Sequence, residues 1–149
     1  LSLGATPCGL GARDTLRFEA NLPLYGQEIS EDITPYEAGL GFAIKLDKED
    51  FIGRNASIDH KEHKTRKLVG FELLEKNIPR HGYEVYFDDK KIGIVTTGYL
   101  LAGLDKPIGL ALVDSDYGKI GTDIFVKIRN KMVLAKIRNK KFYIKNYKK

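Results

Sequence analysis

The chain has a single cysteine, Cys8, so it can form no internal disulfide, which fits a reducing compartment such as the cytoplasm. Its only methionine is Met132, and it opens on Leu1. Leu1 to Ala5 lack the cationic start and apolar stretch of a secretory signal, and the sequence reads as a piece of a longer protein. No run approaches the ~20 apolar residues that cross a bilayer, so a membrane partner is not expected. The catalytic signatures are equally sparse. There is no phosphate-binding P-loop, no GxSxG elbow and no dinucleotide fingerprint between a strand and a helix. His60 and His63 in "DHKEHK" can share a helical face, but Lys61 and Lys64 oppose a cation and no further Cys or His is near, so no metal site is expected. His81 in "IPRHGYEV" reads as a loop residue ahead of a strand, and Cys8 lacks a cationic helix start that would activate it.

What is present is ordinary for a globular protein: 149 residues, 42% apolar and 30% charged. That length supports one domain, or one small domain with an appended segment, and a real core. The net charge of +5 conceals a division. From Lys119 onward there are 11 basic residues and one acid, Asp123, giving +10, so the preceding part carries −5. A basic end containing Phe142, Tyr143 and Tyr147 suits nucleic acid, an acidic protein or an anionic ligand, or is simply a solvated face.

The period of the apolar residues changes along the chain. Ala12, Leu16 and Ala20 share an arc at helical spacing, with Phe18 and Leu22 on its flank, Gly11 ahead of it and Pro23 closing it. Thr34-Pro35 with Glu37 three residues on predicts a helix start, cut short by Gly39 and Gly41. "GFAIKL" alternates as a strand does, "DKEDFIG" resembles another helical start, and "SIDHKEHKTRK" reads as a polar connector. After Arg66 the period becomes two. "KLVGFELL", "YEVYF", "KIGIVTTGYL", "IGLALVD", "IFVKI", "MVLAKI" and "FYIKNY" are strand candidates, with tight turns at "FDDKK" and "RNK". Short strands at this spacing predict an antiparallel barrel or sandwich. The two "KIRNK" copies, 127–131 and 136–140, are too short for a repeat and read as similar strand exits.

The opening helix carries the puzzle. Arg13, Asp14, Arg17 and Glu19 are threaded among apolar residues, and an arginine there is costly unless it meets a carboxylate or phosphate. Asp14 and Glu19 are candidate internal partners for Arg17. Arg13, at the margin of the apolar arc, can bury its stem and aim its head into a cleft toward an external carboxylate or carbonyl-rich ring.

"GARDTLRFEANLPLYGQEI" and "RKLVGFELLEKNIPRHGYEVYFDDKKIGIVTTG" resemble the aminomethyltransferase, or T-protein, family of the glycine cleavage system, and the likeness runs, more loosely, to the C-terminus. Folate-dependent demethylases and a tRNA-modification protein share part of it, while "LPLYGQEI" points to the glycine cleavage branch. The resemblance implies an α+β fragment. Residues 1–65 would be the C-terminal part of a folate-binding body plus connector, and 66–149 a C-terminal antiparallel β-barrel. It implies tetrahydrofolate as the cofactor and lipoylated H-protein as the partner, with no nucleic acid. The catalytic aspartate of the family lies upstream of Leu1, so no catalytic residue is expected here and the fragment alone is expected to be inactive. Arg13 matches the folate-contacting arginine of the family's "ARD" triplet, and Tyr147 an aromatic that nears the same ligand in some relatives. "TTGYLLAGLDKPIG" departs from the family's usual Ser- and Pro-containing loop after "TSG", and with it from any part that loop plays toward H-protein. A basic β-barrel that binds RNA is the competing non-enzymatic reading.

Overall fold

The computed structural model describes residues 2–101 and 104–142. Helix α1 (Leu10–Glu19) is followed by a 3-10 turn at Gly41–Ala43 and by α2 (Arg54–Glu62). Then come β1 (Arg66–Leu73), β2 (Glu84–Phe87), β3 (Lys90–Tyr99), β4 (Ile108–Asp114), a second 3-10 turn at Ser115–Tyr117, β5 (Asp123–Ile128) and β6 (Lys131–Arg138). The six strands close into an antiparallel barrel in the order β1-β4-β3-β2-β5-β6. The expected α+β architecture with a C-terminal barrel is therefore observed. Of the last expected strand, "FYIKNY", only Phe142 is described, outside any strand; the rest lies outside the described residues. Among the described residues no helix is long and apolar enough to cross a membrane.

Alternation fills the barrel. Val69, Phe71, Leu73, Val85, Val95, Ala111, Val113, Val126, Val133 and Ile137 point inward and form one buried cluster. Strand β4 is nearly continuous in apolar residues because both of its faces are covered. Ala111 and Val113 belong to the interior, whereas Ile108 and Leu110 pack outside the barrel against Phe18 of α1, with Leu101 and Phe142. Phe18 stacks on Phe142 at 4.9 Å and tilts against Tyr99 at 5.4 Å.

A bulge in β3 decides what faces the helix. Val95 pairs with Ala111 and Thr97 with Leu110, so Thr96 is an extra residue with no partner in the β4 ladder. Alternation alone would send Thr97 to the same face as Val95. The inserted residue reverses the phase, and Thr97 and Tyr99 come out toward α1. Thr96 itself stays satisfied: its hydroxyl donates to the Leu110 carbonyl, and its own carbonyl lies 2.9 Å from His81 Nδ1.

The segment ahead of the barrel differs from its sequence pattern in three places. "GFAIKL" is a 3-10 turn followed by irregular chain, because no strand lies beside it to pair with. The polar connector is largely α2, which starts after Gly53 (φ +87) in place of the expected start within "DKEDFIG". Its apolar residues are only Ala56 and Ile58, two apart, and none of its residues is buried, which leaves no helical apolar period to read. At Thr34 the capping exchange does form, with Thr34 N–H donating to Glu37 and Glu37 N–H donating to Thr34 Oγ1, but it closes a single turn.

Gly93 marks the tightest crossing of the barrel. A Cβ there would lie 2.1 Å from the Leu112 carbonyl oxygen and 2.8 Å from Val113 Cα, both backbone atoms that cannot swing aside. Gly93→Ala is expected to lower unfolding stability by about 3 kcal/mol, at the upper end of the usual cost of overpacking. A urea denaturation curve measures it, and a change within the experimental error would contradict this account of the crossing.

Candidate functional site

The junction between α1 and the barrel holds the most concentrated polar chemistry in the described residues, and Arg17 is its centre. The helix ends where Asn21 takes a left-handed turn (φ +55), and the chain then loops back through "PLYGQEI". That loop carries Gln27 and Glu28 under the helix. Arg17 Nε donates to Asp14 at 2.6 Å, Nη1 to Glu28 at 2.7 Å and to the Leu22 carbonyl at 3.3 Å, and Nη2 to Gln27 at 2.6 Å and Thr97 at 3.1 Å. Glu28 also accepts from the Leu24 N–H at 3.1 Å and from the Thr97 hydroxyl at 2.6 Å, and Tyr99 donates to Asp14.

Arg17 is 7% exposed and Glu28 fully buried, so an unpaired charge at either place would be costly. Both are paired, and among the described residues no buried side-chain nitrogen or oxygen lacks a partner. Burial by itself would raise Asp14. The hydrogen bonds from Tyr99 and Arg17, with the charges of Arg17 and Arg13, outweigh it and hold the carboxyl below its ordinary range. Tyr99 is pushed the other way, to about 12, by burial first and then by the Asp14 carboxylate that holds its proton.

A second clamp ties the chain before β1 to the barrel. Arg66 at the start of β1 donates to both oxygens of Glu37, at 2.7 and 3.2 Å, and the Glu37 carbonyl accepts from Leu68 N–H. Burial would raise Glu37 as well, but Arg66 and Thr34 hold it low. Between the foot of α1 and β1/β4 a cleft of about 250 Å³ opens, lined by Leu22, Pro23, Phe42, Leu68, Leu110 and Lys140.

The structure sorts the charged residues of the opening helix. Arg17 and Asp14 brace it, as expected; Glu19 makes no ion pair among the described residues. The arc of Ala12, Leu16 and Ala20 is not the packed face. Leu10 and Leu16 are 85% and 65% exposed, and the helix buries Arg17 and Phe18 instead, since the polar network and the Phe18 stack both lie on that side. Arg13 is exposed, between Leu10 and Leu16 at three-residue intervals, with no ion-pair partner among the described residues. Tyr147 lies outside the described residues. His63 lies 2.8 Å from Asp59 one helical turn back, and among the described residues no group of three His, Cys, Asp or Glu is placed to hold a metal. Sequence reasoning missed Gln27, Glu28, Thr97 and Tyr99. The one available signal was Arg17 itself, whose charge demanded more partners than its helix supplies.

Comparison with known proteins accords with this arrangement. Residues 66–143 match the family model described as the glycine cleavage T-protein C-terminal barrel domain, and residues 1–48 match the GCVT N-terminal domain model. A curated relative from Caldanaerobacter subterraneus subsp. tengcongensis, named aminomethyltransferase, is 63% identical over 147 residues, 98% of this chain and 39% of the relative. Another aminomethyltransferase, from Thermoanaerobacter pseudethanolicus, is 59% identical over 98% of this chain and 40% of its own length. The crystal structure of glycine cleavage system aminomethyltransferase T from Bartonella henselae superposes with a TM-score of 0.83 at 30% identity, covering 91% of this chain and 39% of that one. The chain thus spans about two fifths of the length of the curated relatives it matches.

The Arg17 network has a window of pH. A carboxyl held low, as Asp14 is, contributes stability above its unfolded value and loses it as acid protonates it in the folded state. A phenol held high, as Tyr99 is, contributes below its ordinary value and loses that contribution as pH rises toward about 12. An ultraviolet titration of tyrosinate is expected to show a late ionisation near pH 12 that Tyr99→Phe removes. If Tyr99→Phe instead removes an ionisation near the ordinary ~10, the Asp14–Tyr99 bond is not holding the proton.

Proposed function

This chain belongs to the glycine cleavage T-protein family, and on that premise we propose that it forms the C-terminal portion of a tetrahydrofolate-dependent aminomethyltransferase. In this reading residues 1–65 complete a folate-binding body and 66–149 are the closing barrel domain. The whole enzyme takes the aminomethyl group from the lipoyl arm of H-protein and transfers its methylene carbon to tetrahydrofolate. Ammonia is released and the arm is left as the dithiol. The proton-transferring carboxylate comes from upstream of Leu1. Asp14 and Glu28 are unsuited to that task because both are consumed in holding Arg17.

The observation that carries the reading is the contrast between two arginines on one helix. Arg17 has five donor contacts to the chain, all directed at the barrel junction. Arg13, one turn earlier on the same helix, has no ion-pair partner among the described residues and is exposed, as are Leu10 and Leu16 three residues to either side. An apolar face with one guanidinium at its middle suits a folate: its ring system is flat and its tail ends in carboxylates. Arg13 is the proposed contact, with the upstream body supplying the wall that faces it. Tyr147 is carried as a second candidate.

Arg13→Lys in the full-length enzyme keeps the charge and most of the stem while removing the planar two-pronged donor. Tetrahydrofolate binding, read by calorimetry, is expected to weaken by about 1.5–3 kcal/mol, roughly one to two decades. The thermal midpoint is expected to stay put, because Arg13 has no ion pair in the described structure to lose. An unchanged dissociation constant with a lowered midpoint would remove Arg13 from the ligand site.

A further inference from the structure

A cavity of about 640 Å³ opens where β1, the end of β6 and the turn after β4 meet the segment around Gly39. Four lysines line it: Lys64, Lys67, Lys119 and Lys140. None of the four has an ion-pair partner among the described residues, in contrast to Lys90, Lys91, Lys106, Lys127, Lys131 and Lys136 on the same barrel. The two other charged groups in the lining are already engaged. Glu37 gives both oxygens to Arg66, and Arg138 donates to Glu72 at 3.1 Å.

Two glycines make room for these cations. A Cβ on Gly39 would come within 2.8 Å of Lys140 Nζ, and Gly39 is held at φ +78, where side chains are strained in any case. A Cβ on Gly118 would come within 1.9 Å of Lys67 Cε, so the lysine stem lies directly over the glycine. Lys64 and Lys140 are both half-buried where they line the cavity. Burial lowers both below the ordinary lysine range; Lys67 lowers Lys64 further, partly offset by Glu37, and Lys64 lowers Lys140 further. Like charges brought together and desolvated cost stability unless an anion joins them.

We propose that this cavity is a binding site for a small anion carrying two or more charges, as carboxylates or as phosphate. Lysines present point charges on rotatable stems and not a planar fork, so they suit either oxyanion. The space exceeds what a lone halide fills. It also shares Gly39, Leu68 and Lys140 with the apolar cleft at the foot of α1, so an anion attached to an apolar group has somewhere to extend. Arg13 is not among the residues that line this cavity.

The test is thermal unfolding and calorimetry of the full-length protein with citrate, with pyrophosphate and with sodium chloride at matched ionic strength. Citrate or pyrophosphate is expected to raise the midpoint saturably where chloride does not, and whichever saturates at lower concentration identifies the carboxylate or the phosphate chemistry. Lys64→Gln and Lys140→Gln are each expected to weaken that binding at least ~10-fold. They should also raise the midpoint of the anion-free protein, since each relieves a like-charge contact. Lys127→Gln, on a lysine paired with Glu84 elsewhere on the barrel, should leave the anion response unchanged. A response indistinguishable from that to chloride, or one equal in the wild type and both cavity variants, would overturn the proposal.

Discussion

A buried guanidinium with every donor direction committed is the constraint on which the rest of the arrangement turns. Arg17 reaches Asp14 on its own helix, the Leu22 carbonyl, Gln27 and Glu28 in the loop that follows and Thr97 on the barrel, so three separate stretches of chain are fixed relative to one charge. Such a group is costly to desolvate and adds little net stability compared with an apolar core. What it does supply is uniqueness of placement. A helix held only by Phe18 could slide along β4, whereas the bonds from Arg17 to Thr97, from Thr97 to Glu28 and from Tyr99 to Asp14 tie it to one place on β3.

The barrel is shaped to receive that charge. The extra residue at Thr96 turns Thr97 and Tyr99 outward, and Gly93 and Gly109 leave space where strands and the Phe71 ring approach closely. Strand β4 is apolar on both faces because it is shared between the interior cluster and the Phe18 cluster. Arg13 lies one turn before Arg17 on the same flank of α1, but it does not reach the junction and is left exposed with Leu10 and Leu16. Position on the helix therefore separates a structural arginine from one available for a ligand, four residues away.

The strands were legible because period-two alternation is a local property, and β-branched runs bounded by turn residues announce it; alternation left barrel and sandwich open, and the family resemblance pointed to the barrel. The resemblance of "GARDTLRFEANLPLYG" to a known family was legible as well. The face on which α1 packs was not, because the partners of Arg17 lie 10, 11 and 80 residues further along the chain, and no window around the helix contains them. The bulge at Thr96 leaves no mark on the apolar pattern, so the outward turn of Thr97 and Tyr99 could not be foreseen. Helix α2 was hidden because Ala56 and Ile58 alone make no helical apolar period, and "GFAIKL" misled because alternation without a neighbouring strand gives the backbone nothing to pair with. The packed face of α1 and the bulge are set by tertiary contact, whereas α2 and "GFAIKL" are segments that lack it.

A double-mutant cycle between Arg17 and Glu28 tests the central claim most directly. Arg17→Met, Glu28→Gln and the pair are compared by denaturant unfolding, which isolates the coupling from the burial of each side chain. The account predicts that the single variants are each strongly destabilised and that the pair recovers part of the loss, with a coupling of about 1–3 kcal/mol. Additivity within about 0.5 kcal/mol would show that the two residues act independently and that the buried ion pair is not the constraint on which the junction depends.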